Sequence, residues 1–89
     1  MNTQAKNGTI TQIIGPIIDV YFENDIPNLG CALLVERDSY ANITLEVAQH
    51  LGGNRVRTIA MQDTAGLTRG LAVINTGAPI RVPVGEKTL

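Results

Sequence analysis

One stretch of the sequence decides the fold: Leu45-Glu46-Val47-Ala48-Gln49-His50-Leu51-Gly52-Gly53-Asn54-Arg55-Val56-Arg57-Thr58-Ile59-Ala60-Met61. Before its turn, apolar side chains alternate with polar or small ones over residues 43–48, which is the period of a strand with one buried face. Gly52-Gly53-Asn54 consists of residues that tolerate a positive φ, so the chain can reverse there. Residues 55–61 then supply a second alternating run. The stretch therefore predicts a β-hairpin.

The same alternation assigns the hairpin residues to the two faces of a sheet. Leu45 and Val47 share a face with Ile43, and we expect that face to be buried. In the second strand, three residues share one face and four share the other. The first group is Val56, Thr58 and Ala60, and the second is Arg55, Arg57, Ile59 and Met61.

Working outward towards the N-terminus, three more runs have the character of strands. Residues 8–14 and 17–22 flank Gly15-Pro16, which predicts a turn or a sharp corner. Residues 31–37 predict a third strand, ended by a turn at residues 38–42. The hairpin supplies the fourth and fifth strands.

Towards the C-terminus the pattern is weaker. Residues 62–70 form a polar connection, and we expect the apolar residues 71–74 to pack beneath the sheet as a turn or a brief strand. Residues 75–79 predict a turn and residues 80–84 the last strand, in which Pro83 implies an edge or a strand end. Six short strands separated by turns predict an all-β fold, a small six-stranded closed antiparallel β-barrel.

Composition agrees with a small aliphatic barrel. The 89 residues allow one domain, and hydrophobic residues make up 44% of them, enough for a core. That core must be aliphatic, because the only aromatic residues are Tyr21, Phe22 and Tyr40. The chain has ten Ile and seven Val, which favour strands.

Charge and cysteine content exclude several classes of partner. The net charge is −1 and no basic block is present, so we do not expect nucleic acid as a partner. No apolar run approaches the roughly 20 residues of a membrane-spanning helix, so we expect no direct membrane insertion. Cys31 is alone, which excludes an internal disulfide and fits a reducing compartment. Residues 1–8 lack the features of a signal or transit peptide, so we expect the protein to be made where it works or to be already processed.

A phosphate-binding loop is the first chemistry to consider, and the sequence argues against it. Gly85-Glu86-Lys87-Thr88 is the nearest match, but Glu86 would put a negative charge where phosphate binds. Ile80 stands where the motif has its first glycine, and no helix follows. We therefore predict no nucleotide site in this chain.

The other reactive side chains do not form a pattern either. His50 has no second metal ligand nearby in sequence, and Cys31 has no designated base, so we interpret them as a surface histidine and a packing residue. Asp19 is the only carboxylate inside an apolar run, and alternation places it on the polar face with Ile17 and Tyr21, opposite Ile18, Val20 and Phe22. Three arginines could form an anion site, but ordinary solvated or interface arginines are the preferred interpretation. The arginines are Arg55, Arg57 and Arg69. We predict no catalytic, cofactor-binding or metal-binding residue.

Several ordered blocks resemble the beta subunit of F-type ATP synthases. They are Gly8-Thr9-Ile10-Thr11-Gln12-Ile13-Ile14-Gly15-Pro16-Ile17-Ile18-Asp19-Val20, the hairpin from Leu45 to Met61, Gly66-Leu67-Thr68-Arg69-Gly70, and Asn75-Thr76-Gly77-Ala78-Pro79-Ile80-Arg81-Val82-Pro83-Val84-Gly85. The alpha subunit of the same enzyme shares the barrel but does not resemble residues 45–50 or 56–61. The resemblance therefore favours the beta subunit.

The resemblance implies a six-stranded crown barrel that alternates with alpha-subunit barrels in a hetero-hexameric ring. It divides the chain into an N-terminal tail (residues 1–7, expected to be disordered), the barrel (8–84) and the start of a linker (85–89). Mg-ATP or Mg-ADP would be bound by a following nucleotide-binding domain that these 89 residues do not contain. The implied role of the barrel is to assemble and rigidify the catalytic head of an enzyme that makes ATP from ADP and phosphate, driven by protons.

The resemblance also implies a location peripheral to an energy-coupling membrane. This is the stromal face of the chloroplast thylakoid or the cytoplasmic face of a bacterial inner membrane. The sequence leaves two other interpretations open. A free-standing OB-like binding module is disfavoured by the acidic composition and the lack of an aromatic platform, and an independent enzyme is disfavoured because no reactive constellation is present.

Overall fold

The computed structural model describes residues 6–37 and 41–80. It contains six strands: β1 (Lys6–Ile14), β2 (Ile17–Phe22), β3 (Cys31–Val35), β4 (Ile43–Gly52), β5 (Arg55–Ala60) and β6 (Ala72–Pro79). All pairings are antiparallel, in the order β1-β2-β5-β4-β3-β6, and β6 pairs with β1 to close the barrel. No helix occurs among these residues. The predicted all-β, six-stranded closed antiparallel barrel is confirmed.

The interior is filled by the apolar members of the alternating runs. In β4, Ile43, Leu45 and Val47 are fully or almost fully buried, as the period-two pattern predicts. The core contains one aromatic ring, and its other members are aliphatic apart from a cysteine. The buried hydrophobic residues are Ile10, Ile18, Val20, Phe22, Cys31, Leu33, Val35, Ile43, Leu45, Val47, Val56 and Val73.

The turn between β4 and β5 has the predicted backbone conformation. The φ angles of Gly52, Gly53 and Asn54 are 83°, 61° and 64°. These are left-handed values, which glycine and asparagine adopt at lower cost than other residues. Local sequence chemistry is therefore sufficient to specify this hairpin.

The sixth strand is where the sequence-based prediction was wrong. We expected residues 75–79 to turn the chain, but they form the second half of β6 and pair with β3, for example Leu33 with Asn75 and Cys31 with Pro79. On its other side β6 pairs with β1. The backbone of β6 therefore supplies hydrogen-bond partners to the strands on both sides of it. This requirement comes from the backbone and is not visible in the side-chain composition. The predicted strand at 80–84 had the wrong start, since Ile80 lies beyond β6, and its remainder, with Pro83, lies outside the described residues.

Two smaller boundaries also differ from the prediction. Strand β1 begins at Lys6, so it includes the last two residues of the predicted tail, while residues 1–5 lie outside the described part. Strand β3 ends at Val35, and Arg37 instead donates hydrogen bonds to the carbonyl oxygens of Ala41 (2.8 Å) and Asp63 (3.0 Å). The side chain of Arg37 thus ties together the loops on either side of the hairpin.

The strands define two ends of the barrel. The Gly53 end carries the β4–β5 turn, the loop 23–30 and the last residue of β6. The Pro16 end carries the Gly15-Pro16 turn and the loop 61–71. Nowhere in residues 6–37 and 41–80 is there a helix with the length and apolar character that crossing a membrane requires.

Candidate interaction surface

Asp19 and Arg57 form an ion pair on the outer wall. The register of β2 and β5 places them directly opposite each other. Arg57 Nε donates to Asp19 Oδ1 over 2.9 Å and Nη2 donates to Oδ2 over 3.0 Å, a bidentate arrangement. The hydrogen bond and the charge of Asp19 raise the pKa of Arg57 above its ordinary value. Sequence reasoning missed this pair, because two unlinked residues become partners only once the register is known.

The environment of Asp19 could not be read from alternation. Alternation places Asp19 on the polar outer face, where it lies, and the structure shows that it is only 4% exposed there. Arg57, whose side chain is 38% exposed, lies beside the carboxylate and occupies both of its oxygens. Both carboxylate oxygens therefore have a structural partner.

The other candidate residues do not converge. Arg55 is exposed on the face of β5 that carries Arg57, whereas Arg69 lies in the loop between β5 and β6. His50 is exposed, and its Nε2 lies 2.7 Å from the carbonyl oxygen of Pro27, which holds the loop 23–30 against β4. Among the described residues, no group of three or more His, Cys, Asp or Glu side chains is arranged to hold a metal ion. The Gly85-Glu86-Lys87-Thr88 segment lies outside that part of the chain.

Cys31 has the packing role that the sequence predicted. It is 8% exposed, and its Sγ lies 3.3 Å from Asn75 Oδ1, joining the start of β3 to β6. A pocket of about 210 Å³ opens beside it at the Gly53 end. The pocket is lined by Asn28, Leu29, Cys31, Gly77, Ala78 and Pro79. Among the described residues, none of those lining the pocket carries a charge.

The most distinctive outer surface is a row of aliphatic side chains near the Pro16 end. We call Ile14, Ile17, Ile59 and Met61 the aliphatic strip. Ile14 pairs with Ile17 across β1 and β2, and Ile17 pairs with Ile59 across β2 and β5. Direct cross-strand neighbours have Cβ atoms about 5 Å apart, so these side chains form one continuous surface.

The members of the strip are well exposed for their size. The exposed fractions are 54% for Ile14, 39% for Ile59 and 42% for Met61, and Ile17 is half-buried between its neighbours. Backbone hydrogen bonds fix the edge of the strip, because the amide of Ala60 donates to Pro16 O over 2.8 Å and the amide of Met61 donates to Thr44 O over 2.9 Å. The strip is therefore an apolar surface on a rigid wall.

Polar groups border the strip on two sides. The Asp19–Arg57 pair occupies the next cross-strand position towards the Gly53 end, and Glu46 of β4 pairs with Ile59 on the far side. An apolar centre with a polar border is the usual composition of a protein–protein contact. Chemically, the arrangement is suited to binding another protein and offers no group for a reaction.

The comparison with known protein families agrees with this architecture. A family model described as "ATP synthase alpha/beta family, beta-barrel domain" matches residues 10–77. The matched range covers more than half of the chain and includes part or all of each of the six strands.

Proposed function

Because the chain belongs to the ATP synthase alpha/beta family, we propose that it is the N-terminal crown barrel of an F-type ATP synthase beta subunit. The match of the family's barrel model to residues 10–77 carries this proposal. The family description does not separate alpha from beta. Support for beta comes from the wording of residues 45–50 and 56–61, which resembles the beta subunit alone.

The proposed role of the barrel is to assemble and stiffen the catalytic head. Alpha subunits are the proposed lateral neighbours, in a ring where alpha and beta alternate. Closure supports a rigid role, because the sheet of a closed barrel has no free edge at which strands could separate. The Asp19–Arg57 pair adds a side-chain tie across β2 and β5.

We further propose that this chain has no catalytic activity and binds no cofactor by itself. Asp19 is already engaged by Arg57, and Cys31 is engaged by Asn75, so neither is arranged for a reaction. Mg-ATP and Mg-ADP would be bound by the nucleotide-binding domain of the same subunit. The complete subunit would take part in proton-driven ATP synthesis at the surface of a thylakoid or a bacterial inner membrane.

The test is a domain exchange in a bacterial F-type ATP synthase. The barrel of its beta subunit is replaced by this chain, and the chimera is co-produced with the alpha subunit. Native mass spectrometry should show a hexamer of three alpha and three chimeric beta subunits. The matched control replaces the alpha barrel instead, with beta intact, and should not assemble.

We call the two proteins the beta-side chimera and the alpha-side chimera, after the subunit whose barrel is replaced. Hexamers formed only by the alpha-side chimera would identify the barrel as that of an alpha subunit. Hexamers from neither chimera would overturn the assembly role. Calorimetric titration of the 89-residue chain with Mg-ATP should give no saturable heat, and stoichiometric binding would contradict the proposed absence of a nucleotide site.

A further inference from the structure

We propose that the aliphatic strip is the surface through which this barrel contacts the barrel of a neighbouring alpha subunit. The inference rests on the proposed function, which supplies the identity of the neighbour but none of the contacting residues. It assigns the contact to Ile14, Ile17, Ile59 and Met61.

The first argument is the continuity of the strip. Its three isoleucines occupy consecutive cross-strand positions on three neighbouring strands, β1, β2 and β5. Of the other large apolar residues that are exposed in the described part, Tyr21 lies on β2 beyond the Asp19–Arg57 pair, and Ile26 and Leu29 lie in the loop 23–30. Scattered exposed apolar residues are ordinary, but a continuous row of them indicates a binding surface.

The second argument concerns which molecule can cover the strip. Strand β6 ends at the Gly53 end, where the amide of Ile80 donates to Gly30 O over 2.9 Å. A domain that follows β6 in the same subunit therefore starts at the end of the barrel remote from the strip. The strip lies on the outer side wall of the barrel near the Pro16 end. A neighbouring subunit is therefore better placed than the following domain to cover it.

The third argument is the charge around the strip. Asp19 and Arg57 neutralise each other, so burying this region does not leave an isolated charge. Arg57 uses Nε and Nη2 for Asp19, which leaves other N–H groups of an exposed guanidinium to donate to an acceptor on the partner. Glu46 on the other side would accept from a partner's donor. The expected partner surface is apolar at its centre, with a hydrogen-bond acceptor on one side and a donor on the other.

The contact is tested by photo-crosslinking in the hexamer that contains the beta-side chimera. The photoreactive residue p-benzoylphenylalanine replaces Ile59 in one sample and Leu29 in the matched control. Leu29 is 61% exposed, more than Ile59 at 39%, and it lies at the Gly53 end, so a missing crosslink at position 29 would not be due to burial of that position. Position 59 should crosslink to alpha, and position 29 should give no crosslink to an alpha barrel.

A second experiment introduces charged residues into the strip and measures hexamer formation. The double variant Ile14→Glu/Ile59→Glu should weaken hexamer formation by about tenfold or more, because two carboxylates would lose water without a partner. Leu29→Glu should change it by less than about twofold. Urea unfolding of each variant of the 89-residue chain checks that the barrel itself remains folded.

The outcomes separate this inference from the proposed function. If the unsubstituted chimera forms hexamers but the strip variants assemble equally well, the strip is not the contact and the assembly role stands. Crosslinks from position 59 to a second copy of this chain would also overturn the assignment. If the unsubstituted chimera never assembles, it is the proposed function that fails.

Discussion

Strands β2 and β5 carry two aliphatic pairs, one on the inner wall of the barrel and one on its outer wall. Val20 and Val56 face each other on the inner wall and are completely buried. Ile17 and Ile59 face each other on the outer wall, where Ile59 remains 39% exposed. Both pairs belong to the same ladder and consist of aliphatic side chains. They differ in their surroundings, because the inner pair contacts the core and the outer pair is in part exposed to water.

The inner and outer faces of the barrel differ in what their apolar side chains need as neighbours. The inner pair removes apolar surface from water within a single chain, so the fold accounts for it completely. The outer pair keeps part of its surface in water, so it contributes less to the stability of the isolated barrel than the inner pair does. An aliphatic row in that position needs another molecule to account for it, which is the basis of the proposed contact with alpha.

The largest effect should come from truncating a residue of the inner wall. Leu45→Ala should lower the free energy of unfolding by about 2–5 kcal/mol, because it removes buried methyl groups and leaves a cavity. Leu29→Ala makes the same chemical change at a residue that is 61% exposed and should cost less than about 0.5 kcal/mol. Urea unfolding measures both. Equal costs would mean that Leu45 does not belong to the buried core.

The next effect tests how tightly the inner wall is packed. A Cβ at Gly8 would lie 2.8 Å from two ring atoms of Phe22 and 2.8 Å from the carbonyl oxygen of Tyr21. Gly8→Ala should therefore destabilise the barrel by about 1–3 kcal/mol. Adding Phe22→Leu should relieve the ring contact but not the backbone contact, so the double variant should lose less than the two single losses combined.

Thr9→Ala is the matched control for Gly8→Ala, because Thr9 is the adjacent, exposed residue of β1. Its effect on thermal and urea unfolding should stay within about 0.5 kcal/mol. A Gly8→Ala variant as stable as the Thr9→Ala variant would show that the interior has room to spare.

A smaller effect is expected from the ion pair on the outer wall. Arg57→Met should keep some cover over Asp19 while leaving its buried carboxylate without its cation. Asp19→Asn should cost less, because the exposed guanidinium of Arg57 can be hydrated. The double variant should be more stable than Arg57→Met alone. Additive losses in a double-mutant cycle, measured by thermal unfolding, would show that the pair is not coupled.

The smallest effect is expected from the strip itself. Ile14→Ser and Ile59→Ser should each change the stability of the isolated 89-residue chain by no more than about 0.5 kcal/mol. Ile14 is 54% and Ile59 39% exposed, so each substitution removes less buried area than Leu45→Ala does. Losses like that of Leu45→Ala would mean that the strip is part of the core and not a contact surface. Calorimetric melting of the two variants beside the unsubstituted chain makes this comparison directly.

Strand phase and the β4–β5 turn could be predicted from sequence because both depend on short-range properties. The alternation around Leu45 sets which side chains point inward, and Gly52-Gly53-Asn54 supplies the left-handed backbone that the reversal needs. Strand β6 could not be predicted in the same way. Residues 75–79 resemble a turn in sequence, but β3 pairs with β6 as far as Pro79, and β1 pairs with it as far as Asn75.

Only part of the candidate surface could be predicted from the sequence. Alternation correctly placed Ile59 and Met61 on one face of β5, and Ile17 with Asp19 on one face of β2. Alternation could not show that β2 lies beside β5, because the two strands are far apart in the chain. The row from Ile14 to Met61 and the Asp19–Arg57 pair therefore stayed hidden until the register was known.

The sequence by itself determined the all-β class, the inward-facing residues and the hairpin turn, because side-chain periodicity and glycine φ preferences act within a few residues. The tertiary structure decided the strand order, the extent of β6, the burial of Asp19 and the assembly of the aliphatic strip. Those features depend on which strands share hydrogen bonds, and barrel closure sets that pairing over long distances along the chain.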